Sequence, residues 1–99
     1  MKVQTILEAV AAEFEVSAEH IAHPRERRSP QIVAARIVAV KLTKDLTFRS
    51  QTEIAEIFNC DRRTILTHLK NKEPRIEAET ERIFAMLRMR EEPDDDKTP

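Results

Sequence analysis

Glycine, tryptophan and tyrosine are absent from the 99 residues, and cysteine occurs only once. Hairpin turns, P-loops and dinucleotide-binding turns depend on glycine, because they need positive φ angles or a close approach of the backbone to a ligand. The lack of glycine therefore argues against these structures and favours helices joined by short corners. The single cysteine, Cys60, excludes an intrachain disulfide bond and is typical of a protein from a reducing compartment.

Membrane and secretion signals are also missing from the sequence. No run of about 18 apolar residues is present to span a bilayer. The N-terminus lacks the basic-then-apolar pattern of a secretion signal. The length, with 40% hydrophobic residues, suffices for one small folded domain. We therefore predict a cytoplasmic protein that has no membrane partner.

Charge is distributed unevenly along the chain, although the formal net charge is only −1. Residues 1–24 carry a net charge of −3, residues 25–72 carry +6, and residues 73–99 carry −4. A basic centre between acidic ends is typical of a local site for a polyanion such as nucleic acid. Charge clusters also arise by chance in a chain that is 35% charged, so charge alone leaves both interpretations open.

The spacing of apolar residues predicts an all-α domain of about six helices. The helices outside the central corner are expected at about residues 3–14, 18–22, 31–44 and 76–90, with a polar loop at residues 23–30. β-branched residues are frequent in 31–44, so a strand competes there, but the length of the segment favours a helix. We predict that the domain covers residues 1–90 and that residues 91–99 are a disordered acidic tail.

Residues 51–70 carry the strongest functional signal, because two short apolar-faced helices are separated there by only about three residues. Ser50 begins a Ser-x-x-Glu capping box for the first of these helices, and Asp61 is expected to cap the second. Such a pair is typical of a helix-turn-helix, whose second helix enters the DNA major groove with its N-terminal residues at the base edges. Arg62 and Arg63 stand at that N-terminus, where arginine can bind guanine or phosphate.

A purely structural interpretation of this segment stays open on these grounds. Helix pairs with short corners occur in many α-domains, and exposed arginines often only solvate a surface. Ala55 is small where the two helices must cross, and Ile65 falls where the second helix must enter the core. His20 and His68 are interpreted as surface or helix-packing residues, and Cys60 as a small residue of the corner.

Four stretches of the chain resemble the C-terminal DNA-binding domain, domain IV, of the bacterial replication initiator DnaA, which has a Trp-repressor-like fold. The sequence ILEAVAAEFEVSAEHI is similar to its first two helices, and ERRSPQIVAAR is similar to its basic loop. ARIVAVKLTKDLT resembles its central helix, and SQTEIAEIF followed by DRRTIL resembles its helix-turn-helix with the signature Asp-His-Thr-Thr. The resemblance covers about residues 6–87, which is most of the chain.

The resemblance implies that double-stranded DNA, at DnaA-box-like sites, is read from two sides. An arginine of the basic loop would enter the minor groove, an arginine of the central helix would contact phosphate, and the signature residues would enter the major groove. Lys70 and Lys72 are weaker candidates for phosphate contact. The predicted DNA-binding residues are Arg27, Arg28, Arg36, Asp61, Arg62, Arg63, Thr64 and Lys70.

The chain departs from the family pattern at the signature itself. Arg62 replaces the histidine and Arg63 replaces the first threonine, while Asn59 and Cys60 stand where the family has two corner glycines. Threonine offers a methyl group and a hydroxyl to DNA, whereas arginine prefers the O6 and N7 atoms of guanine. The substitutions therefore change the chemistry that this helix presents to the major groove.

These features together predict a nucleoid-associated protein that binds double-stranded DNA sequence-specifically and acts in replication initiation or transcription. The alternative is a replication-associated protein–protein adaptor, with replication proteins as partners, that kept the fold without strong DNA binding. No nucleophile–base pair, metal-ligand spacing or phosphate-binding loop stands out in the sequence. We therefore predict no enzyme, no cofactor, no metal and no small-molecule substrate.

Overall fold

The computed structural model describes residues 1–25 and 29–90, which form six α-helices and no strand. The prediction of an all-α fold with about six helices is confirmed, and the segment for which a strand competed is helical. The predicted acidic tail, residues 91–99, lies outside the described residues. The helices are α1 Val3–Phe14, α2 Ala18–Ala22, α3 Pro30–Leu46, α4 Gln51–Ile57, α5 Arg62–Leu69 and α6 Pro74–Arg88.

Side-chain caps fix where several of these helices begin. Ser17 accepts a hydrogen bond from the backbone N–H of His20 at 3.0 Å at the start of α2. Ser50 and Glu53 form the complete predicted capping box of α4, with reciprocal bonds of 3.1 and 2.8 Å. These bonds satisfy N–H groups that a helix leaves without partners in its first turn, so the bounds of the helices follow from local sequence.

Prolines begin two helices rather than preceding them. Pro30 lies in the first turn of α3, with Ser29 as its N-cap, although the sequence had suggested that the loop extended to residue 30. Pro74 likewise lies in the first turn of α6, where the sequence had suggested a break before a helix at about residue 76. Proline fits this position because its missing N–H has no partner in the first turn and its φ angle is already helical.

Helix α3 is the centre of the fold, and the other five helices pack around it. Its residues 35–43 are all buried, including Val38, Ala39 and Leu42 with no exposed surface. A helix that is buried on every side must be apolar nearly all round, which explains its frequent β-branched residues. Arg36 and Lys41 are the charged exceptions in this stretch, and the ammonium group of Lys41 pairs with the carboxylate of Glu77 on α6 at 3.1 Å.

Left-handed backbone conformations occur without glycine at two corners. Glu15 ends α1 with φ of 56°, and Asn59 ends the α4 segment with φ of 54°. Asparagine is one of the few residues that adopt this conformation readily, whereas glutamate does so at a cost of about 1–2 kcal/mol. Among the described residues, no helix is both long and apolar enough to cross a membrane.

Candidate nucleic-acid interface

The corner between α4 and α5 has the arrangement expected for a helix-turn-helix. Asn59 adopts its left-handed conformation there, and the N–H of Cys60 returns to the carbonyl of Ala55 at 3.0 Å. Ala55 is buried at the crossing of the two helices, as the sequence predicted. Ile65 is fully buried and anchors α5 in the core. The corner therefore fixes the direction of α5 relative to the rest of the domain.

A second contact ties this corner to helix α2. The side-chain amide of Asn59 donates to the carbonyl of Ala22 at 3.3 Å and lies 2.5 Å from Nδ1 of His23. Ala22 and His23 are the last residue and the C-cap of α2. The segment that leads into the predicted basic loop is therefore held beside the helix-turn-helix corner. The sequence did not reveal this link, because the partners are 36 or 37 positions apart.

Asp61 is the N-cap of α5, as predicted, and it is engaged by Thr64. One carboxylate oxygen accepts the backbone N–H of Thr64 at 2.9 Å and its hydroxyl at 3.2 Å. The hydrogen bond from the backbone of Thr64 is the main cause that lowers the pKa of Asp61, followed by the bond from its hydroxyl, while the charge of Arg63 adds a smaller effect. Asp61 is therefore ionised at neutral pH and stabilises the positive end of the helix.

The two arginines that follow this cap are exposed at the first two positions of α5. With a rotation of about 100° per residue, five positions from the start of α5 to its C-cap share one arc of about 140°, which does not include the buried Ile65. We call this arc the recognition strip. Its members are Arg62, Arg63, Leu66, Thr67 and Lys70.

The recognition strip combines three cations with a small apolar and hydroxyl centre. Arg62, Arg63 and Lys70 are exposed, and Leu66 is half-buried. The hydroxyl of Thr67 donates to the carbonyl of Arg63 at 3.1 Å. The sequence prediction did not include Thr67, and the apolar spacing had placed Leu66 on the inner face of the helix with Ile65, although helical periodicity counted from Arg62 would have placed both on the strip. Such a surface can hydrogen-bond to base edges and phosphates and can contact a thymine methyl group.

Arg36 lies elsewhere, and its position differs from the surface phosphate contact that the resemblance implied. Only 5% of the surface of Arg36 is exposed to solvent. One guanidinium nitrogen donates to the carbonyl of Ile21 at 2.5 Å and the other donates to that of Phe58 at 2.7 Å. A longer bond of 3.5 Å reaches Ala22. The guanidinium also lies 5.8 Å from the centre of the Phe58 ring. In this structure Arg36 joins the end of α2 to the end of α4, and its contact with phosphate stays a prediction.

His68 lies on the inner side of α5, near the buried charge of Arg36. Burial is the main cause that lowers the pKa of His68, and the positive charge of Arg36 lowers it further. The imidazole is therefore neutral at physiological pH. This agrees with the interpretation of His68 as a packing residue rather than a ligand.

The remaining predicted DNA-binding positions are in the basic loop and at the C-terminal end of α5. Arg27 and Arg28 lie outside the described residues, so their predicted minor-groove contact stays a prediction. Lys70 caps the C-terminus of α5, and Lys72 is exposed two residues later. Among residues 1–25 and 29–90, no group of three or more His, Cys, Asp or Glu side chains is arranged to hold a metal ion.

Comparison with known proteins adds one match. The sequence model of a family described as bacterial DnaA protein helix-turn-helix matches residues 3–71, about seven tenths of the chain. The matched range includes α1 to α5 with the whole recognition strip and ends before α6. A comparison with curated proteins returned no match.

Proposed function

The chain belongs to the bacterial DnaA helix-turn-helix family, and on this premise we propose that it binds double-stranded DNA sequence-specifically in the control of replication initiation. The family supports DNA binding in replication initiation and gives no support to an enzymatic role. The recognition strip is the observation that carries the proposal for this chain, because its cations are exposed and it is built on a capped helix that the buried Ile65 anchors in the core.

The contacts within α5 support a division of labour among the predicted DNA-binding residues. Asp61 and Thr64 bond to each other and hold the first turn of the helix. Arg62 and Arg63 extend from that turn as exposed cations, and Lys70 follows at the other end of the strip. In our proposal the arginines contact base edges or phosphates in the major groove and Lys70 contacts phosphate.

The basic loop provides the second part of the proposed interface. The residue before the loop, Arg25, is exposed, and α2 is attached to the helix-turn-helix corner by Asn59 and Arg36. This attachment supports a loop that begins close to the corner. Following the family resemblance, we propose that Arg28, with Arg27 beside it, enters the minor groove next to the major groove that α5 occupies.

The proposed role is occupancy of DNA sites, which include DnaA-box-like sequences. The 99 residues contain no glycine and therefore no P-loop, so these residues do not supply ATP-driven melting of an origin. Binding at origin sites would allow the protein to mark them or to compete for them.

Fluorescence anisotropy with labelled duplexes tests the proposal. Duplexes with and without a DnaA box are titrated at two salt concentrations. About six neutralised phosphates give a slope of about −5 for log K against log salt. Arg63→Ala is expected to cost about 1–3 kcal/mol if the side chain makes a bidentate base contact. Arg75→Ala is the matched control, because Arg75 is exposed on α6, outside the helix-turn-helix.

The outcomes separate DNA binding from the alternative function. Box-selective, salt-dependent binding that Arg63→Ala weakens and Arg75→Ala spares supports the proposal. Equal affinity of the Arg62→Ala and Arg63→Ala variants and the wild type contradicts the proposed interface. If the folded protein binds no duplex at low salt, the protein–protein adaptor becomes the better explanation of the family fold.

A further inference from the structure

We propose that Arg62 and Arg63 make the recognition strip selective for neighbouring guanines in the major groove. The inference rests on the proposed function, and it goes further by naming the bases that α5 reads. It depends on which side chains of the first turn of α5 form hydrogen bonds within the protein and which are available to a ligand.

Two of the four signature positions are committed to capping the helix. Thr64 is half-buried, and both its N–H and its hydroxyl bond to the same carboxylate oxygen of Asp61. These bonds turn Thr64 toward its own helix. Arg62 and Arg63, by contrast, are both exposed, and the described residues provide neither guanidinium group with a hydrogen bond or with an ion pair within 4 Å. The chemistry offered to a base edge at this turn is therefore that of two guanidinium groups.

A guanidinium group discriminates strongly among the bases. Its planar N–H groups match the paired acceptors O6 and N7 of guanine. Adenine presents an amino group beside N7, so one of the two bonds is replaced by two opposed donors. One bidentate contact corresponds to a preference of about 5- to 150-fold for the right base.

The spacing of the two arginines favours adjacent base pairs. Neighbouring Cα atoms are about 3.8 Å apart, and stacked base pairs are separated by about 3.4 Å. Both residues belong to the first turn, whose end faces the floor of the groove in a helix-turn-helix complex. Their side chains point about 100° apart around the helix, so they reach neighbouring guanines on one strand or on opposite strands rather than a single base.

The test begins with selection of duplexes from a pool with randomised sequence, using the wild-type protein. We expect two adjacent G·C pairs to be enriched in the selected sites. Each guanine of that step is then replaced by 7-deazaguanine, which keeps Watson–Crick pairing but removes the N7 acceptor. The replacement is expected to weaken binding by about 5- to 150-fold at a contacted guanine.

A double-mutant cycle assigns each guanine to an arginine. In Arg62→Ala or Arg63→Ala, the loss caused by 7-deazaguanine should shrink to less than about twofold at the guanine that the missing arginine contacts, because the two changes are coupled. Alanine is the best helix former, so α5 is expected to remain intact, which circular dichroism verifies. Arg75→Ala, the control on α6, should retain the full loss at both guanines.

Each result has a definite consequence. Enrichment of a G·C step together with coupling to one arginine supports the proposal. Tight, salt-dependent binding to selected sites that lack such a step, or that tolerate 7-deazaguanine, overturns the guanine assignment and leaves DNA binding intact. Failure to select any duplex, with a folded protein, overturns both the guanine assignment and the proposed function.

Discussion

Arg36 offers the sharpest test of how the structure supports the proposed DNA-binding surface. Substitution Arg36→Met keeps an unbranched side chain of similar length but removes the guanidinium group. Three backbone carbonyls then lose a donor, two of them with bonds of 2.5 and 2.7 Å and one with a bond of 3.5 Å. The partners belong to the end of α2 and the end of α4, so the substitution removes this link between the two elements.

The expected cost can be worked from those bonds. Each hydrogen bond to a charged group contributes about 1.5–3 kcal/mol. The bond of 3.5 Å contributes little, so the loss comes mainly from the two shorter bonds. This loss is partly offset, because methionine does not carry the desolvation cost of a buried charge. A buried carbonyl that is left without a donor costs about 1–3 kcal/mol. We expect Arg36→Met to lower the free energy of unfolding by about 3 kcal/mol, a large part of the 5–15 kcal/mol that is usual for a domain.

Urea denaturation of the wild type, Arg36→Met and Arg36→Lys measures this cost. Arg36→Lys is expected to fall between the other two, because one ammonium group cannot span both carbonyl sites. The exposed control Arg75→Met should change stability by no more than about 0.5 kcal/mol. DNA titration of the folded variant completes the test. Stability within 1 kcal/mol of the wild type, together with a salt slope reduced by about 1, would refute the reasoning and restore Arg36 as a phosphate contact.

Two further predictions concern pH and backbone conformation. Because the pKa of His68 is lowered below 6.5 in the folded state, the unfolded chain binds more protons just below that pH, and stability falls as the pH is lowered through this window. In the His68→Gln variant, the free energy of unfolding should fall less between pH 7 and pH 5.5 than in the wild type or in the control His20→Gln. Urea denaturation at each pH measures this fall. An unchanged pH profile would contradict the role of His68 in it. Glu15→Gly should raise the free energy of unfolding by about 0.5–1 kcal/mol, because glycine adopts a φ of 56° without strain. Asn59→Gly is the informative comparison, because asparagine has less strain to relieve and the substitution removes the bond to Ala22. A stabilisation by Asn59→Gly as large as that by Glu15→Gly would contradict the importance of that bond.

Much of the fold was predictable because its signals are local. The capping box at Ser50 and the cap at Asp61 act within a single turn of helix, and the structure contains both. The periodic apolar residues identified core positions such as the buried Ile65, although Leu66, which the same spacing had placed on the inner face, does not belong to the core. The helix bounds predicted from the sequence differed from the structure at two prolines, Pro30 and Pro74, which lie in the first turn of a helix rather than before it.

The candidate site was predictable in part for the same reason. Arg62 and Arg63 follow a recognisable cap, so their place at the start of the second helix could be inferred from the sequence. Leu66 and Thr67 share their face of α5, a consequence of helical geometry that needs no tertiary information. The roles of Arg62 and Arg63 in DNA binding remain predictions that the titrations above will test.

The sequence by itself determined the helices, their caps and the positions that α5 turns away from the core, because each depends on residues within about four positions of one another. Only the tertiary structure decided what happens to Arg36. An arginine in a basic segment is equally suited to phosphate and to buried carbonyls, since its guanidinium group donates to either. Ile21 and Phe58 lie 15 and 22 positions away. Their carbonyls surround Arg36 because the helices pack around α3, and that packing left the guanidinium group inside the protein.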